Sequence, residues 1–233
     1  MNTRLFIIAI TPAIIGLGGI YLSDRHDREP LKLLIITFFL GAISVIPSII
    51  VEEILTKFNI FAGIGAAFYN AFIVAGFTEE FFKRFMILKV PYKTTYFNEK
   101  LDGIVYGVFA ALGFATVENI IYVVFEYTNN PFIGLYRGIF SVPAHAIFGV
   151  TMGYYLSLAR FDTDVNRKKS NMIKSLYMPV LLHGIFDFIL MAEIPELTML
   201  FVPYVIFLWW INERKLSRFM YDSKSRIKNR RKE

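Results

Sequence analysis

Long apolar runs separated by short charged clusters set the pattern of the chain. Seven such runs can be marked, at about 4–22, 31–51, 62–90, 102–125, 132–159, 172–191 and 196–212. A hydrocarbon core about 30 Å thick needs roughly 20 apolar residues in a helix. The pattern therefore predicts an all-α fold, a polytopic transmembrane helix bundle with about seven spanning helices. It forms a single domain over 1–213, followed by a basic cytoplasmic tail over 214–233. The gaps between runs are too short for a soluble domain. The first run, from Met1 to Leu22, reads as a spanning helix rather than a secretory signal. Its apolar stretch is too long for a signal core, and no small-residue cleavage site follows.

Finer features mark where the helices bend and touch. Pro47, Pro143, Pro179 and Pro203 fall inside apolar runs, where each removes one helical hydrogen bond and favours a kink. Gly103, Gly107 and Ala111 recur every four residues, a small-residue face suited to close helix packing. Tyr21, Tyr92, Tyr96, Trp209 and Trp210 lie near run ends, as interfacial anchors do.

Charge then orients the bundle. If the runs alternate across a membrane, 22 of the 25 Lys and Arg residues fall on one side, leaving Arg4, Lys57 and Arg137 on the other. Discounting Lys83 and Arg84, which lie inside a run, the bias is 20 against three. Basic residues collect on the cytoplasmic face, so the N-terminus is expected outside and the C-terminus inside. The net charge of +6 is thus explained by topology and anionic lipid, with no nucleic acid implied. The chain has no cysteine, which excludes a disulfide framework, a thiol nucleophile and a thiolate zinc site.

Ionisable groups inside a bilayer are costly, and mark function or pair with one another. Here the deep ones fall on runs three to six: Glu79, Glu80, Lys83 and Arg84, then Glu118 beside Asn119, then His145, then His183 and Asp187. Glu79 and Lys83, Glu80 and Arg84, and His183 and Asp187 are each spaced i,i+4 and are expected to meet on their own helices. A glutamate held among other charges can activate water, with histidine as partner or oxyanion stabiliser. Glu79, Glu80, His145 and His183 are also good ligands for a divalent metal such as zinc. H-E-x-x-H and G-x-S-x-G motifs are absent, and one deep aspartate, Asp187, does not make an aspartyl dyad. A proton- or ion-coupled transporter using the same Glu and His groups as a relay is the alternative from another class. A non-catalytic receptor or scaffold, with polar groups that only hold helices together, is a third.

At these residues the sequence resembles the PrsW family of bacterial intramembrane proteases, distant relatives of the type II CAAX prenyl endopeptidases. The stretches that carry the resemblance are Gly76-Phe77-Thr78-Glu79-Glu80-Phe81-Phe82-Lys83-Arg84, Asp102-Gly103-Ile104-Val105-Tyr106-Gly107 and Gly113-Phe114-Ala115-Thr116-Val117-Glu118-Asn119. His145 through Gly149 and His183-Gly184-Ile185-Phe186-Asp187-Phe188 continue it, with Asp27-Arg28-Glu29-Pro30 near the start and Phe207-Leu208-Trp209-Trp210 near the end. The resemblance implies a bacterial cell-membrane protease making the first cut in a single-pass membrane anti-sigma factor, on its extracytoplasmic side. It places Glu79 and Glu80 in the paired-glutamate motif, Arg84 at its arginine and His183 in the late histidine motif. Glu118 and His145 match further polar motifs. The wider superfamily has Phe four residues before its first histidine, whereas here that position is Ser141 and Phe140 lies one earlier. Glu79, Glu80, His183, Glu118 and His145 are thus the expected catalytic set, supported by Lys83, Arg84, Asn119 and Asp187.

Overall fold

A computed structural model describes residues 3–126 and 131–230. The described residues form seven long helical runs with short connections. They are α1 (Thr3–Ser23), α2 (Leu31–Ile43) with α3 (Val45–Lys57), and α4 (Ile64–Tyr69) continued through a π-helical stretch (Asn70–Phe77) into α5 (Thr78–Lys89). Then come α6 (Lys100–Ile120) with a π stretch (Ile121–Glu126), and α7 (Pro131–Tyr136), a π stretch (Arg137–Ser141) and α8 (Val142–Phe161). The chain closes with α9 (Val165–Met191), the short α10 (Pro195–Met199) and α11 (Phe201–Arg230). The seven runs coincide with the seven apolar segments, and the fold is the expected helical membrane bundle. Five of them, all but the third and the seventh, are long and apolar enough to cross a membrane. The third carries Glu79, Glu80, Lys83 and Arg84, and charges begin two residues after Ile211 in the seventh.

α6 is the central post, with almost every side chain from Leu101 to Thr116 buried. Its small-residue face meets α8 as the spacing predicts. A Cβ on Gly107 would lie 2.2 Å from the Gly149 carbonyl oxygen, and one on Gly153 would lie 1.9 Å from that of Gly103. The two backbones therefore touch, which is how helices associate where lipid is as apolar as any side chain. α2 crosses α6 equally closely, since a Cβ on Gly41 would lie 1.9 Å from the Ala110 carbonyl oxygen. α9 packs on α8, and α11 lies along α8 with Asn212 bonded to Thr151 (2.6 Å). α1 covers the far side of α6, where Asn119 Nδ2 donates to the Ala9 carbonyl at 2.8 Å.

Irregularities fall at two of the four marked prolines, Pro47 and Pro143, whereas α11 runs unbroken through Pro203, and others have no proline nearby. The second run breaks at Ser44, three residues before Pro47, whose missing N–H cannot bond back to Ile43. Pro143 opens α8 directly after a π stretch, and Pro179 sits inside a continuous α9. The π stretches have no proline signature. They precede Glu79, follow Glu118 and precede His145, and π turns commonly mark functional sites. One inserted residue rotates every later side chain by about 100°.

The basic C-terminal segment shows no break from the bundle. α11 continues unbroken to Arg230. Ser223 Oγ donates to Glu99 Oε1 at 2.7 Å, and Arg226 Nη2 lies 3.6 Å from Asp27 Oδ2. Residues 231–233 of the expected tail lie outside the described residues.

Candidate active site

The polar groups singled out by sequence come together around one ammonium group. Lys83 Nζ donates to Glu79 Oε2 (3.0 Å) and Glu80 Oε1 (2.8 Å), and lies 3.0 Å from His145 Nδ1. It also rests over the Phe114 ring, 4.0 Å from the centroid. An ammonium has three protons, and all three are used. Lys83 is 1% exposed and Glu80 0%, so neither charge has bulk water to solvate it. The i,i+4 contact between Glu79 and Lys83 forms as expected, whereas the one between Glu80 and Arg84 does not. Arg84 instead donates to Ser175 Oγ (2.7 Å) and the Met172 carbonyl (2.9 Å), tying α5 to α9. Glu80 turns toward the bundle interior and Arg84 toward its neighbour helix.

Each histidine is held by a carboxylate on the ring nitrogen away from the centre. His145 Nε2 lies 2.8 Å from Glu118 Oε2, and His183 Nε2 lies 3.2 Å from Asp187 Oδ2. A carboxylate only accepts, so His145 Nε2 carries the proton and Nδ1 accepts from Lys83. His183 Nδ1 lies 3.0 Å from Glu80 Oε1, so His183 faces a carboxylate on both sides. Phe148 stacks on its ring at 4.8 Å between centroids. Glu118 is steadied in turn by Arg137, whose Nη2 is 3.0 Å away and whose Nε donates to Asn119 Oδ1 at 3.1 Å. The nine expected residues thus include eight in one connected network. The ninth, Arg84, lies beside it.

Two further residues join the site that the sequence reading left out. Arg137 was counted among the outer-side basic residues, yet it lies in the fifth run and closes the Glu118 end of the network. Glu52 lies just past the end of the second apolar segment, and α3 carries it inward. Its presence corrects the reading that confined deep ionisable groups to runs three to six. An acid pair, Glu52 and Glu53, one helical turn before the basic end of an apolar run was the available signal.

A cavity of about 990 Å³ opens onto this network, lined by Glu79, Glu118, His145, His183 and Asp187, together with Glu52 and Arg137. The rest of its wall is mostly apolar, with Val45, Ile49, Val74, Phe140 and Phe201 among the contributors. Glu80 is behind this wall. Its Oε2 is buried and has no hydrogen-bond partner among the described residues.

The same residues fit a metal by chemistry. One donor atom from each of Glu79, Glu80, His145 and His183 lies within 4.8 Å of the others. Both imidazoles are oriented by a carboxylate on the outer nitrogen, as metal-bound histidines usually are, and the orphan Glu80 Oε2 adds a free lone pair. Lys83 Nζ contacts three of these four residues, so the ammonium and a metal would share the same donors.

A helical membrane bundle with a buried Glu/His set opening onto a cavity is the arrangement of an intramembrane hydrolase. The comparisons with known proteins are consistent with this class. Residues 29–211 match the family model described as PrsW family intramembrane metalloprotease. "Protease PrsW" of Clostridioides difficile (strain 630) is 44% identical over 225 residues, covering 96% of this chain and 94% of that protein. "Protease PrsW" of Bacillus subtilis (strain 168) is 39% identical over 209 residues, covering 90% and 92%. That of Oceanobacillus iheyensis is 39% identical over 210 residues, covering 90% and 93%. No solved structure matches. The chain belongs to the PrsW family of intramembrane proteases and is a membrane-embedded protease. Membership favours the protease over the transporter and scaffold alternatives.

Proposed function

We propose that this protease makes the first cut in a single-pass membrane anti-sigma factor, by attack of a water molecule that Glu79 deprotonates. The observation that carries the reading is that Glu79, His145 and His183 share one wall of a cavity among helices of spanning length. Lys83 holds Glu79 through Oε2, which positions its carboxylate beside space for a peptide. The water's oxygen attacks the scissile carbonyl as its proton passes to Glu79. His183, whose two ring nitrogens face Asp187 and Glu80, assists through its positive charge beside the developing oxyanion. The carbon–nitrogen bond then breaks, and the departing amine takes the proton from Glu79. Glu80 keeps Lys83 and His183 in place. Glu118 and Asn119, with Arg137, orient His145, while Arg84 fixes α5 against α9.

The charge bias supports an outer N-terminus and a cytoplasmic C-terminus. That orientation puts Glu118, Arg137 and the cavity toward the outer half of the membrane, where a first cut on the extracytoplasmic side takes place. The mostly apolar wall suits a segment leaving the bilayer. In this reading the chain lies in a bacterial cell membrane, in contact with lipid.

Glu79, Glu80, His145 and His183 are the residues that would hold a divalent metal, with zinc suited to this donor set. Such a metal, when bound, supplies a Lewis acid and an acidified water. The deciding experiment is cleavage of a tagged single-pass anti-sigma factor by the purified chain in detergent, with and without a strong chelator. Cleavage is expected, and Glu79→Gln is expected to lower its rate by about 10²–10⁴, the usual contribution of a general base. Activity that survives chelation assigns the charge at the centre to Lys83 alone. Activity lost to chelator and restored by zinc assigns it to metal on those four residues. Undiminished cleavage by Glu79→Gln, or no cleavage of this substrate when other single-pass proteins are cut, overturns the respective part of the reading.

A further inference from the structure

Glu52 stands on the cavity wall contributed by α3, with no hydrogen bond to the Glu/His network. Val45, Ile49 and Glu52 follow one another at i, i+4 and i+7, one face of a helix, and all three line the cavity. The other side of α3 presents Ile46, Ile50 and Ile54, which are 62%, 55% and 49% exposed and suited to lipid. The helix therefore turns its acid away from lipid and into the space a peptide occupies. Its charged neighbours there are Glu79, Glu118, Lys83 and His183.

What separates Glu52 from the other acids of this wall is its lack of a hydrogen-bond or ion-pair partner among the described residues. Glu79 is held by Lys83, Glu118 by Arg137 and His145, and Asp187 by His183. Glu126, also on the wall, is exposed. Glu52 Oε1 is buried and receives no hydrogen bond from the described residues. A buried acceptor is costly to leave empty, and a packing acid acquires a donor from its neighbours. An acceptor held open on the wall of a substrate cavity is completed by the ligand.

We infer that Glu52 is a substrate-binding residue whose carboxylate accepts a hydrogen bond from the peptide strand beside the scissile bond. The donor is either a main-chain N–H or a cationic side chain, since both present the same chemistry to the acceptor. The inference deepens the protease reading and rests on it, independently of which membrane protein is the natural substrate.

The test uses the full chain in detergent and a panel of quenched-fluorescent single-pass peptides, with the anti-sigma factor segment as one member. Glu52→Ala is expected to raise KM by roughly tenfold or more while kcat changes less than about threefold, on every member that the wild type cleaves. Glu52→Gln keeps the shape and an acceptor oxygen, so it controls for folding and also sorts the donors. Recovery of wild-type KM in Glu52→Gln identifies a main-chain N–H. A KM as poor as that of Glu52→Ala identifies a cationic side chain, and replacing Lys or Arg near the cut by Gln then reproduces the loss. Wild-type KM in both variants overturns the inference, as does a fall confined to kcat. Failure of the anti-sigma segment alone rejects that substrate and leaves the Glu52 comparison intact on the other members.

Discussion

Lys83 shows how the site tolerates so many charges where water is scarce. Its three protons satisfy two carboxylates and one imidazole, so the cost of burying each group is offset by contacts to opposite charge. The outer carboxylates then fix the histidines. Replacing Asp187 or Glu118 by its amide keeps the shape but removes the charge facing His183 Nε2 or His145 Nε2. By analogy with supporting groups around metal-bound histidines, each variant is expected to lose about 10–100-fold in cleavage rate. The pH–rate profile should shift with it, and a role in folding alone would leave that profile in place. Contacts within one helix were legible at this scale, because i,i+4 spacing alone brings Glu79 to Lys83 and His183 to Asp187. The partners of Arg84 and Glu118, and the His183 contact of Glu80, were not, because they come from other helices. Nor was the identity of the cavity-facing glutamate, since the two adjacent acids differ only in which neighbour each meets.

Among the helices, α6 and α8 form the contact on which the site depends. Glu118 is on α6 and His145 is on α8, so any separation of this pair lengthens their 2.8 Å contact. Gly153→Ala puts a carbon 1.9 Å from the Gly103 carbonyl oxygen, where only backbone could give way. It is expected to lower thermal stability in detergent by about 1–3 kcal/mol, the usual cost of overpacking, and to reduce cleavage. Gly18→Ala on α1 meets nothing within 4 Å and is the matched control. A thermal shift equal in the two variants would refute the close packing. The small-residue face of α6 was readable from its four-residue repeat. The π stretches were not, because no single residue type demands them and they arise from how neighbouring helices accommodate the turn.

At the scale of the whole molecule, acids at the end opposite the cavity tie the first loop to the bundle. Asp24 Oδ2 accepts from the Glu29 N–H at 3.0 Å, and Glu29 accepts from the Tyr106 hydroxyl, while Asp102 caps α6 through the Glu99 N–H at 2.7 Å. Burial pushes the carboxyls of Asp24 and Glu29 up to about 7, well above ordinary carboxylate values. An acid raised in this way binds its proton more tightly folded than unfolded. For Asp24 that contribution is therefore full below the ordinary aspartate value of 3.8 and is lost as pH rises through about 7. Melting in detergent is expected to fall by a few degrees between pH 5.5 and 8, and Asp24→Asn, neutral throughout, is expected to flatten that fall. A slope unchanged in Asp24→Asn would show that the proton is taken up elsewhere.

The sequence by itself determined the class of fold and most of the polar residues that meet in the candidate site. Apolar runs long enough to span a bilayer leave the helix as the way to satisfy every backbone group. Ionisable residues inside those runs have few uses other than each other or a reaction. Tertiary structure alone decided the arrangement: that Lys83 is the hub, that Arg84 holds α9, and that Glu79 faces the cavity with Glu80 behind it. It also decided that Glu52 and Arg137 belong to the cavity wall. These are properties of how helices rotate and cross, and a one-residue π insertion is enough to change which neighbour a side chain meets.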